Sequence, residues 1–165
     1  MPTRTAAVMF CLVALCACGA QAQQVPSPPA GAQPAPPPAP PFGMPISYEQ
    51  AVAKAKAIGV PNAVAVVEPS GDLVYFGKMI SAPYSAIQLA QQKAVAAARY
   101  RRPTKAFFDG IEGGHPFFLT FPGIAGAPGG VPLVVDGKLV GAIGVSGGNG
   151  DQDLEVAGAG VDALK

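Results

Sequence analysis

The chain has 165 residues, of which half are hydrophobic and only 13% charged, a length that suits one folded domain. Eleven basic residues stand against ten acidic ones, and from this near-balance no general attraction to nucleic acid or an anionic membrane follows. All three cysteines, Cys11, Cys16 and Cys18, lie near the start, so the rest of the chain has no internal disulfide, thiolate ligand or thiol nucleophile.

Residues 1–22 carry one basic residue, Arg4, an apolar run from Ala6 to Ala17, and a small-residue end at Ala20-Gln21-Ala22. That layout predicts a secretory signal, and the run is too short to span a bilayer. Leu15-Cys16-Ala17-Cys18 resembles a bacterial lipobox, with Cys16 an imperfect match at its second position. Acylation of Cys18 therefore competes with cleavage after Ala22, and either places the protein across the inner membrane, in the periplasm or as an outer-membrane lipoprotein. Residues 23–45 are proline-rich, a composition expected to form a disordered, polyproline-like tether rather than a packed core.

The folded domain is expected over residues 46–165. Ser47-Tyr48-Glu49-Gln50 has the spacing of a capping box and predicts a helix after Ser47 that ends at Gly59 and Pro61. Ala63–Val67 and Leu73–Phe76 are β-prone runs flanking Glu68-Pro69-Ser70-Gly71-Asp72, a hairpin pattern. Ser85 to Arg102 is alanine-rich without internal Gly or Pro, which predicts a long helix stopped by Pro103, suited to close packing on a sheet.

Thr104 to Gly130 is expected to be a long loop, and it holds five of the eight phenylalanines and the sole histidine. These aromatics suit either core packing or a flat apolar slot for a ligand. Asp136-Gly137 between two apolar runs is a strong hairpin signal, and Gly141 and Gly144 suggest a bulge or a close backbone approach. Asp151 to Lys165 completes the chain as a helix whose first-turn acids suit its dipole. The order predicts an α+β domain: an antiparallel sheet built from two hairpins, with helices on one face.

Gly144-Val145-Ser146-Gly147-Gly148 fits the nucleophile-elbow pattern of hydrolases. That chemistry needs a parallel sheet and a histidine later in the chain, whereas His115 precedes Ser146, so Ser146 is expected to be a turn residue. The glycine spacing matches no phosphate loop, and Asp151-Gln152-Asp153 lacks the rest of a calcium loop. No catalytic constellation is evident.

Leu89-Ala90-Gln91-Gln92-Lys93-Ala94, Arg102-Pro103-Thr104, Gly129-Gly130-Val131-Pro132-Leu133, Asp136-Gly137, Gly141 to Gly147 and Gln152-Asp153 together resemble the GlcG/HbpS family of small haem-binding proteins. The resemblance spans residues 46–165. It implies a profilin-like fold, symmetric homo-oligomers, and binding or slow degradation of haem, with secreted members acting as haem or iron sensors and stores. It also implies an oxygen axial ligand near Thr104.

A haem site needs an apolar slot, an axial donor and cations for the propionates. The candidates are Thr104 or His115 as the axial iron ligand, Arg101 and Arg102, with Arg99 and Lys105, for the propionates, Tyr100 as a phenolate or packing group, and Phe107 and Phe108 for the slot. Two other readings stand beside this one: an oligomeric interaction module without haem, and an accessory enzyme acting on a small organic acid.

Overall fold

The computed structural model describes residues 45–165, so the expectations for the signal segment, for Cys18 and for nearly all of the proline-rich stretch lie outside the described residues. The element order is α1 (Ile46–Ala57), β1 (Ala63–Val67), β2 (Leu73–Lys78), α2 (Ser85–Tyr100), α3 (Lys105–Glu112), a 3-10 turn (Pro116–Thr120), β3 (Gly130–Val135), β4 (Lys138–Ser146) and α4 (Gly150–Asp162). The four strands form one antiparallel sheet in the order β2-β1-β4-β3. The α+β expectation therefore holds.

The helices cover both faces of this sheet rather than one. In β1, Val64 and Val66 point into a core with Ile143, Val145, Val156 and Ala157, against α1 and α4. The alternate residues Ala63, Ala65 and Val67 point the other way, onto Ala86, Ala90, Ala94 and Ala97 of α2. Strand side chains alternate between faces, so a strand that is apolar at every position needs cover on both. Small side chains on the α2 side let that helix come close. A Cβ at Gly144 would lie 2.1 Å from the Ala90 carbonyl oxygen and 2.4 Å from the Ala94 nitrogen.

Both hairpins form as the sequence predicts. Asp136 and Gly137 have φ of 48° and 72°, the left-handed pair that a two-residue turn between twisted strands demands. One residue, Val140, is extra on β4 between the Leu133–Gly141 and Val134–Leu139 pairs, so the bulge foreseen near Gly141 is present.

Two local expectations change. Helix α1 starts at Ile46 with Pro45 as its N-cap and no side-chain cap, and Ser47 is buried inside the first turn. The capping box instead belongs to α4, where Asn149 accepts from the Gln152 N–H at 2.9 Å and the Gln152 side chain accepts from the Asn149 N–H at 3.0 Å. The expected loop from Thr104 to Gly130 contains α3 and the 3-10 turn. Helix α3 is short but strongly amphipathic, and its inward Phe107 anchors it. Ser146 ends β4 opposite Ala63, 5% exposed, in an antiparallel sheet, which is not the setting of a nucleophile elbow.

Candidate functional site

Helix α2 ends where Arg101 turns left-handed at φ 52°, and the following Pro103 prevents its continuation. Thr104 then opens α3 and is fully buried. Its hydroxyl does not cap the helix. It donates to the Ala127 carbonyl at 2.7 Å and accepts from the Gly130 N–H at 2.9 Å, while the Thr104 N–H donates to the Gly130 carbonyl at 2.9 Å. Thr104 thus stitches α3 to the outer edge of β3, and its oxygen already holds two partners.

Beyond α3 the aromatic residues form one connected cluster. Phe107 lies at its centre, 5.1 Å from Tyr100 and 5.9 Å from Phe118 between ring centroids. Phe121 packs at 5.4 Å from Phe118 and 6.1 Å from Tyr100, and the Tyr100 hydroxyl donates to the Pro122 carbonyl at 2.8 Å. Phe107 is 1% exposed, so it supports the cluster from inside and forms no part of its surface. Outside it, His115 is exposed and meets Phe117 edge-on at 5.9 Å. Phe117 and Leu119 are 52% and 61% exposed, an unusual concentration of apolar surface beside an imidazole.

Phe108 lines a cleft of about 420 Å³ with Ala127, Pro128, Asn149, Gly150 and Asp151. Arg99, Arg101 and Arg102 are exposed and, among the described residues, none makes a salt bridge. Arg102 lies 5.8 Å from the Phe107 ring centroid, whereas Lys105 is held by Asp109 at 2.6 Å. The two candidate iron donors sit at opposite ends of α3, separated by roughly 12 Å of helix. They are alternatives, not a pair on one metal.

The sequence reading missed a buried polar hub at the end of β4, where α2 and α4 meet. Lys93 Nζ donates to Asp153 Oδ2 at 2.8 Å and to the Val145 carbonyl at 3.0 Å, with both ionic side chains under 5% exposed. Asp153 Oδ1 accepts from Asn62 Nδ2 and from the Gly148 N–H, each at 2.9 Å. Asp153, expected as a first-turn acid that suits the helix dipole, does lie in the first turn of α4 and is also the central acceptor of this hub. The available signal was Lys93 itself, at the i+3 position from Ala90 and i−4 from Ala97 on the buried stripe of α2.

A second cavity, about 490 Å³, lies by α1 and β2, lined by Tyr48, Glu49, Val52, Ala53, Lys56 and Tyr75. None of the expected site residues borders it. The two tyrosine rings meet edge-on at 4.6 Å. Burial, and then the neighbouring Tyr75 hydroxyl, push the Tyr48 phenol above its ordinary pKa.

Comparison with known proteins gives this arrangement a family. GlcG of Escherichia coli strain K12 is 39% identical over 83 residues, 50% of this chain, and the match spans 62% of GlcG's own length. The crystal structure of HbpS superimposes with a TM-score of 0.67 at 29% identity, covering 72% of this chain and 84% of HbpS. A crystal structure of PduOC in complex with haem gives a TM-score of 0.66 at 27% identity, covering 73% and 90% of the two chains. A family model described as "Haem degrading protein HbpS-like" matches residues 48–162, and the chain belongs to this HbpS-like family.

Proposed function

We propose that this domain binds haem on the shoulder formed by α3 and the 3-10 turn, as an extracytoplasmic haem store, sensor or slow haem-degrading protein. The observation that carries the reading is the placement of the chain's sole imidazole, His115, next to Phe117 and Leu119, which face solvent. The residues fit the group: an apolar wall for the macrocycle, an imidazole for the iron, and Arg101 and Arg102, which make no salt bridge among the described residues, for the propionates. Bound haem supplies the redox-active iron. Phe107 and Tyr100 hold the wall in place from behind, and Phe108 extends it toward the cleft at Ala127 and Pro128.

A second reading makes Thr104 the donor, as the family resemblance implies, and requires its hydroxyl to leave Ala127 or Gly130. The signal-like residues 1–22 and the lipobox-like Cys18 support the extracytoplasmic setting. The resemblance also supports a homo-oligomer.

A haemin titration followed in the Soret band tests the reading. Saturation at micromolar haem is expected, with His115→Ala weakening it at least about tenfold and Thr104→Val leaving it intact. No saturation refutes haem binding, and the opposite pattern in the two variants moves the iron to Thr104.

A further inference from the structure

The cavity between α1 and β2 has the chemistry of a peptide cleft. Tyr48, Val52 and Lys56, with Glu49 and Ala53, line one side of α1 at helical spacing, and Tyr75 faces them from β2. Its aromatic wall is preformed. Tyr48 lies against the bare backbone of Gly77, where a Cβ would run into the phenol oxygen, and the Tyr75 ring meets it edge-on at 4.6 Å. Both rings and Val52 also pack against the core beneath.

Of the four tyrosines, only Tyr100 has a hydrogen-bonded hydroxyl among the described residues, so the Tyr48 and Tyr75 phenols are left as donors beside the cleft. The two charged side chains that line it, Glu49 and Lys56, are exposed. Aromatic rings over small apolar side chains, with donors between them, suit a polyproline II strand: proline rings pack on the aromatic faces, and the strand's carbonyls, which have no internal partners, accept from the phenols.

The sequence supplies such a strand next to the cleft. Ala39-Pro40-Pro41-Phe42-Gly43-Met44 carries no charge and leads directly into Pro45, the N-cap of α1. Pro45 is extended, at φ −58° and ψ 132°, and glycine at position 43 has the backbone freedom that a reversal needs. From Phe42 back to Ala39 a polyproline strand extends about 9 Å. Tyr48 to Ala53 spans about 8 Å of helix, so the lengths match when the chain turns at Gly43 and runs back along α1.

We infer that residues 39–44 dock in the Tyr48–Tyr75 cleft of their own chain, with Phe42 beside Tyr48 and Pro40-Pro41 toward Ala53. The short connection through Gly43 and Pro45 holds this segment at the cleft with an effective concentration of millimolar order, which favours it over a separate peptide. Docking shields the two rings from water and fixes the direction in which the proline-rich stretch leaves the domain. It does not depend on haem, since none of the candidate haem residues borders this cleft.

The chain contains no tryptophan, so Phe42→Trp in the full chain, without added haem, is a unique reporter. Its emission should be blue-shifted and protected from acrylamide, equally in dilute and concentrated protein. Two further variants are made in that background. Pro40→Gly with Pro41→Gly alters only residues outside the described domain, and Ala53→Arg places a long charged side chain in the cleft from an exposed helix position. Each should abolish the shift and the protection. Emission like that of free tryptophan in the Phe42→Trp chain, or a shift that survives both variants, would overturn the assignment. So would a shift that fades on dilution, which would place the segment on a second copy.

Discussion

Replacing Lys93 with methionine probes the buried hub most directly. Methionine preserves the aliphatic stem within the alanine stripe and removes the ammonium. Asp153 Oδ2 then loses its 2.8 Å cation, while Oδ1 keeps Asn62 and the Gly148 N–H. Stranding one charge of a pair this buried costs about 3–5 kcal/mol, a large share of the roughly 5–15 kcal/mol that holds a domain folded. For the 120 residues from 46 to 165, an unfolding entropy of about 2.1 cal/mol/K per residue converts that loss into a melting temperature lower by roughly 12–20 °C. Adding Asp153→Asn removes the stranded charge and keeps an oxygen for Gly148 and Asn62, so the double variant should be more stable than Lys93→Met alone. Chemical denaturation of all four members of the cycle gives the coupling. A Lys93→Met loss below about 1 kcal/mol, or strict additivity, would show that the carboxylate gains nothing from the lysine and refute the reasoning.

Two further outcomes follow from the packing and from one titration. Gly144→Ala should destabilise by about 1–3 kcal/mol or more, read as a lower urea midpoint at unchanged slope, because its Cβ meets the α2 backbone; Gly158→Ala, inside α4 with nothing within 4 Å of the new carbon, should instead be neutral or stabilising. The Tyr48 phenol is an acid whose folded pKa is raised. Its contribution to stability is complete below about pH 10 and is lost as pH rises through the higher folded value. Tyr48→Phe should therefore flatten the fall in melting temperature above about pH 10, and an unchanged fall would remove Tyr48 as its source.

Asp136-Gly137 was legible in the sequence because a two-residue turn is specified by its own φ angles. Helix α2 was equally legible: an alanine run without Gly or Pro carries helix preference residue by residue. Helix α3 escaped because the five phenylalanines between Thr104 and Gly130, two of them in α3, suggested a slot before they suggested an amphipathic turn, and eight residues give little period to read. The family resemblance carried more of the function than any spacing did, since no compact catalytic motif marks this chain.

What remained depended on contacts between distant residues. Lys93 and Asp153 lie 60 positions apart, and each taken alone reads as an ordinary solvated helix charge. Thr104 and Gly130 are 26 apart, so nothing local reveals that the hydroxyl closes a sheet edge. Local backbone preference and apolar periodicity travel with the residues themselves, and the sequence states them. Which charge is buried, which donor stays free and which edge is closed are settled only when strands and helices meet, because each depends on the desolvation and pairing that the meeting imposes.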